Sequence, residues 1–263
     1  TLVQIPKVLT DVAYRKDKLS RETNPIVKNF WEFEAEKAGG DAALANMAPY
    51  ITSKINGFIA NEFLRPILSQ KKSAFQFRDI MDHKKILLVN LSKGRIGDMN
   101  ANLLGMIVVG KLLMAALSRG DVPEDQRSDF YLYIDEFQNF TTDSISTILA
   151  EARKYRLNLI VAHQFIKQLQ DKIRDAIFGN VGSMAIFRVG ADDAEYLRNQ
   201  FEPVCTPQDM LNIDNFNAYI KMLIHNQTAR PFNIKIELPQ ASDMEWGHTL
   251  KQLSRLRYGL PPQ

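Results

Sequence analysis

The sequence predicts an α/β fold with a mostly parallel sheet and helices on both faces. Short apolar runs of strand length recur along the chain, and segments of helical length separate them. The runs are apolar throughout rather than alternating, which is typical of strands that are buried on both faces. Parallel strands need a crossover of helical length between them, so the two observations agree. Such a sheet binds its ligand beyond the C-terminal ends of its strands.

Four apolar runs are the predicted strands, at 85–91, 130–134, 157–162 and 184–189, and the intervening helices include about 98–118 and 143–155. The most apolar stretch of the chain, Ala101 to Leu117, lies in the first of these helices. Lys111 interrupts it, and it stands between two predicted strands. We interpret it as a crossover helix, so we expect no transmembrane segment in this chain.

Other patterns flank the predicted sheet. Residues 1–80 carry apolar residues at partly helical spacing and predict an N-terminal helical subdomain. Ala218 to Ile224 and Phe232 to Leu238 predict a C-terminal β-hairpin with one solvated face, because the second run alternates apolar and polar residues. We therefore expect a helical subdomain (1–80), an α/β region (81–240) and a tail helix (241–263).

The composition is that of a folded globular protein, with 45% hydrophobic and 24% charged residues. A single cysteine, Cys205, excludes an internal disulfide and a cysteine-based zinc site. The net charge of +3 is too small an excess to indicate nucleic-acid binding by itself.

A pair of carboxylates follows the second predicted strand. Asp135 and Glu136 come directly after Phe130–Ile134, which matches the Walker B arrangement of nucleotide-hydrolysing enzymes. Because a buried strand holds its last residues rigidly, Asp135 can hold the water shell of Mg²⁺ and Glu136 can polarise an attacking water. An ordinary strand that ends at a solvent-exposed edge produces the same pattern, so the context decides between the two.

An amide follows the third predicted strand. Gln164 stands where a side chain can sense the γ-phosphate or orient the attacking water, although a polar residue that merely starts a loop is the alternative. We expect Asp135, Glu136 and Gln164 to lie together at one edge of the sheet. His163 is interpreted as a structural histidine.

Basic side chains supply candidates for neutralising phosphate charge. Arg188, near the end of the fourth predicted strand, and Arg153, after the carboxylates, could each act as an arginine finger on a neighbouring subunit. A salt bridge at the surface or between domains explains each of them equally well. Lys93 and Arg95 flank a glycine in the turn after the first predicted strand, where they could contact a polyanion such as DNA, although a solvated turn is the simpler interpretation.

A phosphate-binding loop of the form G-x-x-x-x-G-K-[ST] is not found in a usable position. The near match Gly105 to Leu112 has leucine where a Mg²⁺-binding hydroxyl is required. It also lies inside a predicted helix, whose backbone N–H groups are already hydrogen-bonded and cannot cradle phosphate. We therefore expect the phosphate-binding half of a nucleotide site to lie outside this chain.

Four ordered stretches resemble those of a known family: KILLVNLSKGRIG (85–97), DFYLYIDEFQNF (129–140), EARKYRLNLIVAHQ (151–164) and FGNVGSMAIFRVGADDAEYL (178–197). They are similar to the conjugative DNA-transfer ATPases, which are the TraG/TraD-like coupling proteins of type IV secretion in the FtsK/HerA superfamily. The resemblance covers roughly residues 80–240. We expect the chain to be the C-terminal portion of such a protein, without its P-loop.

The resemblance implies a RecA-like P-loop NTPase core, a hexameric ring and ATP-driven movement of single-stranded or duplex DNA through a central pore. By motif position, Asp135 and Glu136 become the Walker B pair with ATP and Mg²⁺, and Gln164 becomes the sensor. Arg188 or Arg153 becomes the finger. The family also implies type IV secretion components as partners and a place at the cytoplasmic face of the bacterial inner membrane, through upstream residues.

Two alternatives remain open at the level of sequence. One is a secretion-system motor that acts on protein or pilus subunits. The other is a non-enzymatic assembly module that retains the fold, although the presence of Asp135, Glu136 and Gln164 together argues against it.

Overall fold

The computed structural model describes residues 1–141, 145, 151–225, 227–238, 241 and 243–259. Its helices are α1 (Ile5–Thr10), α2 (Val12–Ser20), α3 (Pro25–Asn29), α4 (Ala35–Lys37), α5 (Gly40–Ile59), α6 (Leu64–Leu68), α7 (Phe77–Asp82), α8 (Lys93–Ile96), α9 (Asp98–Ser118), α10 (Asp171–Asn180), α11 (Ala191–Phe201), α12 (Pro207–Leu211) and α13 (Met244–Tyr258). Its strands are β1 (Phe130–Ile134), β2 (Leu157–Val161), β3 (Met184–Ile186), β4 (Asn217–Lys221), β5 (Leu223–Ile224), β6 (Gln227–Thr228) and β7 (Phe232–Lys235).

The chain forms two compact units. The first contains Thr1–Ala74, Leu91–Ala101 and the end of the chain from Ser254. The second contains Phe75–Asn90 and Asn102–Leu253, and it holds the seven strands named above.

The first unit is helical in the described part of residues 1–74, as the sequence predicts. Its helices are tied together by Arg15, whose guanidinium is buried. Arg15 donates hydrogen bonds to the carbonyls of Val8 and Leu9 at the end of α1, and it pairs with Asp41 at the start of α5. One side chain therefore satisfies carbonyls that a helix C-terminus leaves without intrahelical partners and links α2 to two other helices.

A pair of parallel strands forms the centre of the second unit. β1 and β2 pair in register from Phe130 opposite Leu157 to Ile134 opposite Val161. The side chains of Leu132 and Ile134 face Val109 and Leu113 of α9 around a small apolar cavity. The predicted parallel pairing of these strands is confirmed, and α9 covers one face of the pair.

The other face of β1 is open in the described structure. Tyr131 and Tyr133 are exposed, whereas the next side chains along the strand point inwards. The prediction that β1 is buried on both faces is therefore wrong within this chain. An apolar run shows that a strand suits a buried setting, but it does not show which part of a molecule covers it.

The first predicted strand, 85–91, is not a strand in the structure. Its residues have no regular secondary structure, and Ile86 and Leu88 are 88% and 85% exposed. A strand exists only where a neighbour accepts and donates its backbone hydrogen bonds, and no described strand lies in that position. The segment is apolar, but the prediction that it forms a strand is wrong.

The fourth predicted strand is also corrected. β3 covers only Met184–Ile186, and it pairs antiparallel with β4 instead of joining the parallel pair. β4 in turn pairs antiparallel with β7, as the predicted hairpin requires. The short hairpin of β5 and β6 lies in the connection and was not predicted.

The antiparallel sheet packs on a core of its own. Buried residues from β3, α11, α12 and the adjoining turns form it: Ile166, Ile186, Ala194, Leu197, Phe201, Cys205, Met210 and Ile213. Cys205 is fully buried in this cluster, and burial raises the pKa of its thiol to about 11. The thiol is therefore protonated near neutral pH and acts as a small apolar side chain.

Two further helix predictions have different outcomes. The predicted helix at 98–118 is confirmed as α9. The segment Asp98–Asp121 is long and apolar enough to cross a membrane by length and composition alone, with a mean hydropathy of 1.8. The predicted helix at 143–155 falls mostly outside the described residues, and its last part, Ala152–Tyr155, is a 3₁₀ turn.

Candidate functional site

The candidate site lies where β1 and β2 end, at the same edge of the parallel pair. The pairing continues past the strand ends, because the N–H of Ala162 donates to the carbonyl of Ile134 at 2.9 Å. The N–H of Phe137 then donates to the carbonyl of Ala162, also at 2.9 Å. These bonds fix the carboxylates after β1 beside the residues that follow β2.

Two amides hold the carboxylate of Glu136. Nε2 of Gln164 donates to Oε1 of Glu136 at 2.7 Å, and Nε2 of Gln138 donates to Oε2 at 2.6 Å. Charge-assisted bonds of this length are about twice as strong as neutral ones. The predicted proximity of Glu136 and Gln164 is observed. The contact of Gln138 with the same carboxylate was not predicted.

The backbone at Glu136 is unusual. Its φ of 49° and ψ of 46° place a non-glycine residue in the left-handed region. Such a conformation costs about 1 kcal/mol or more and persists only where the surroundings enforce it. The fully buried Phe137 follows Glu136 directly, and the buried Ile134 at the end of β1 lies two residues before it. The strained backbone turns the carboxylate towards the two amides.

Asp135 is exposed at the rim of the same edge. Its Oδ1 accepts a hydrogen bond from the N–H of Glu136 at 2.9 Å, and its other oxygen has no hydrogen-bond partner among the described residues. Mg²⁺ in nucleotide sites is bound by one or two carboxylates together with phosphates and water. The described residues contain no group of three or more acidic, histidine or cysteine side chains that could hold a metal. A single exposed carboxylate such as Asp135 can supply one ligand of that kind.

His163 lies between Ala162 and Gln164, just after the end of β2. Burial lowers the pKa of His163 below its ordinary value, although the carboxylate of Asp193 acts in the opposite direction. Its buried Nδ1 has no hydrogen-bond partner among the described residues. A neutral imidazole that is partly buried agrees with the structural interpretation of this histidine.

The two candidate arginines lie on different elements from the carboxylates. Arg153 is exposed in the 3₁₀ turn before β2, which is the end of that strand opposite Gln164. Arg188 follows β3 and donates to Oδ1 of Asn215 at 3.0 Å. Among the described contacts, neither arginine bonds Asp135 or Glu136. Both are exposed enough to reach another subunit, so their role as fingers stays a prediction.

Lys93 and Arg95 belong to the first unit. They are exposed on the short helix α8, where Nζ of Lys93 lies 3.6 Å from Oδ1 of Asp98. The structure thus leaves both cations accessible, and their predicted contact with DNA stays a prediction.

Sequence reasoning missed Gln138. It stands on the 3₁₀ turn Phe137–Phe140, and the two phenylalanines that bound this turn are buried. A polar residue between two aromatic anchors is a weak signal, because the same pattern occurs in many surface turns. Only the structure shows that its amide bonds Glu136.

Residues 129–199 match the family model described as the TraM recognition site of TraD and TraG. No curated protein sequence matches the chain. The matched range includes both carboxylates, Gln138, Gln164 and both candidate arginines.

Solved structures of conjugative coupling proteins share the fold. The bacterial conjugative coupling protein TrwBΔN70, in an unbound form, superposes with a TM-score of 0.61 at 16% identity and covers 91% of this chain and 58% of its own. The plasmid coupling protein TrwB in complex with the GTP analogue GDPNP gives 0.59 at 15% identity, over 91% and 59%. TrwB in complex with ADP and Mg²⁺ gives 0.56 at 14% identity, over 90% and 63%.

These likenesses show that the chain shares the fold of the TrwB structures, which is an α/β fold as predicted. The chain spans less than two thirds of the length of the TrwB chains that it matches. Residues 129–199 therefore match a TraG/TraD family model, and the chain shares its fold with coupling proteins of known structure.

Proposed function

We propose that the chain is the C-terminal portion of an ATP-driven DNA translocase, the coupling ATPase of a conjugative or type IV secretion system. The observation that carries the proposal is the hydrogen bond between Glu136 and Gln164, which joins the ends of two parallel strands. An acidic pair and a polar amide at that edge are the arrangement that nucleotide hydrolysis needs.

Each residue of the edge has a proposed role. Asp135 would hold the water shell of Mg²⁺ when the ion binds, and Glu136 would accept a proton from the attacking water. Gln164 senses the γ-phosphate, because an amide that bonds Glu136 can also donate to phosphate oxygen. Mg²⁺ and ATP supply the charge stabilisation and the phosphoryl group when they bind. TrwB was solved with ADPNP and with ADP and Mg²⁺, which supports this choice of ligands.

The remaining roles follow from the same proposal. The active form is a homo-oligomer, a hexamer of the FtsK/HerA type, in which Arg188 or Arg153 completes the site of a neighbour. Lys93 and Arg95 contact DNA in the pore. The protein works at the cytoplasmic face of the bacterial inner membrane through upstream residues, and its 129–199 segment engages a conjugation partner of the TraM type.

The 263-residue chain alone is expected to show negligible ATP turnover, whereas the full-length protein hydrolyses ATP. The reason is that Gly105 to Leu112 lies within α9, where backbone N–H groups are bonded inside the helix and cannot hold phosphate. Phosphate release from the two purified proteins at saturating ATP and Mg²⁺ checks this. Brisk turnover by the 263-residue chain would show that the site has been misplaced.

DNA as the transported polymer has its own test. Binding of the full-length oligomer to DNA is expected to weaken steeply with salt, because each phosphate contact releases counterions. The slope of affinity against salt should decrease in a Lys93→Gln, Arg95→Gln variant. Binding that ignores salt, or ATP turnover that responds to a protein substrate and not to DNA, contradicts the DNA assignment.

A further inference from the structure

We propose that Gln138 is a positioning residue for Glu136, and that together with Gln164 it forms an amide clamp on the carboxylate. The inference deepens the proposed function and rests on it. The clamp is defined as Glu136 with Gln138 on Oε2 and Gln164 on Oε1.

The orientation of the Gln138 amide is fixed by chemistry. An ionised carboxylate only accepts hydrogen bonds, so the atom that faces Glu136 at 2.6 Å must be the nitrogen of the amide. The oxygen then points the other way, where Oε1 is buried and has no hydrogen-bond partner among the described residues. Burying an unpaired acceptor is destabilising. The Gln138 amide therefore bonds Glu136 through its nitrogen at the cost of leaving its own oxygen without a hydrogen bond to the described residues.

The local backbone delivers Gln138 to the carboxylate. The left-handed conformation at Glu136 ends β1 and starts the 3₁₀ turn that carries Gln138. Phe137 and Phe140 anchor this turn in the interior, and Nδ2 of Asn139 donates to the carbonyl of Glu136 at 3.1 Å. An unsatisfied buried acceptor and a strained residue in one turn are unusual for a surface loop, and such features concentrate at functional sites.

The two arms of the clamp differ in what they can do. Gln164 is exposed and follows a strand end, so a phosphate can compete for its amide. Gln138 is held by the buried turn and remains on Oε2 when Gln164 turns away. Gln138 thus keeps the Glu136 carboxylate in a fixed orientation, while Oε1 of Glu136 becomes available to accept a proton from water. Positioning of this kind affects the chemical step more than ground-state binding.

The test uses ATP turnover by the full-length protein. Gln138→Met keeps the length of the side chain and removes the donor, and Gln170→Met is the matched control, since Gln170 is exposed and its side chain makes no capping bond. We expect kcat to fall about 10-fold with KM for ATP and the melting temperature nearly unchanged, and Gln170→Met to match the parent. In a Glu136→Gln background, Gln138→Met should have no further effect, because it acts through Glu136.

The outcomes separate the inference from the function beneath it. If the parent full-length protein neither binds nor hydrolyses ATP, the proposed function is wrong and the clamp has no purpose. If the parent turns over ATP and Gln138→Met retains its kcat, the clamp inference alone is wrong. The same holds if Gln138→Met lowers the melting temperature and raises KM, or if its effect adds fully to that of Glu136→Gln.

Discussion

Glu136→Gln in the full-length protein is expected to lower ATP turnover by about 10²- to 10⁴-fold, the contribution typical of a general base. The amide has nearly the size of the carboxylate but cannot accept a proton from water. It also has one accepting oxygen where Glu136 has two, so the amide of Gln164 or of Gln138 must either lose its bond or turn over to present its own oxygen. ATP should remain bound without being hydrolysed, because the proposed phosphate contacts lie elsewhere.

Two measurements are needed for this prediction. Phosphate release reports turnover, and equilibrium binding of labelled ATP reports occupancy of the site. Glu124→Gln is the control, since Glu124 is an exposed carboxylate in a 3₁₀ turn of the same unit. Undiminished turnover by Glu136→Gln would remove Glu136 from its role. Loss of ATP binding together with turnover would show that Glu136 holds the nucleotide instead.

The candidate site could be predicted from the sequence because it depends on which residues directly follow each strand in the chain. A run of five apolar residues followed by Asp135 and Glu136 places both carboxylates at a strand end wherever the strand lies. A second run followed by Gln164 does the same for the amide, and parallel pairing brings the two ends to one edge. Each step depends on neighbours in the chain and on a general rule of parallel sheets.

The rest of the sheet could not be predicted in the same way. The run at 85–91 has the composition of β1, yet it has no strand partner in the described structure. Composition reports whether a side chain suits a buried setting, whereas a strand also needs a neighbouring backbone. β3 was assigned to the parallel sheet for the same reason, and its antiparallel partner β4 lies more than 30 residues further along the chain.

Two polar side chains whose bonds the sequence does not reveal, Gln138 and Arg119, were also missed. Gln138 looks like an ordinary turn residue, and Arg119 looks like a surface arginine after an apolar helix. The structure buries Arg119 to 1% exposure. The sequence around Arg119 does not indicate its hydrogen-bond partners, which lie 9 to 37 residues away.

Arg119 connects four segments of the second unit. It follows α9, its Nε donates to Oδ1 of Asp82 at 2.8 Å, and one Nη donates to the carbonyls of Ser128 and Tyr155 at 2.9 and 3.1 Å. Ser128 lies two residues before β1, and Tyr155 lies two residues before β2. A single buried cation therefore holds the starts of both parallel strands and α7 against the end of the crossover helix.

Arg119→Met is expected to reduce the free energy of unfolding by about 3 kcal/mol, the lower end for a broken buried ion pair. The lower end applies because the side chain of Asp82 is 37% exposed and also bonds Arg78. Methionine fills most of the space, so the loss measures the missing hydrogen bonds rather than a cavity. Urea unfolding gives the value, with Arg198→Met as control, because the ion pairs of that exposed arginine should contribute less than about 1 kcal/mol. Equal stability of the two variants would mean that water replaces the guanidinium at both carbonyls, and that the strand starts are held by apolar packing on α9 instead.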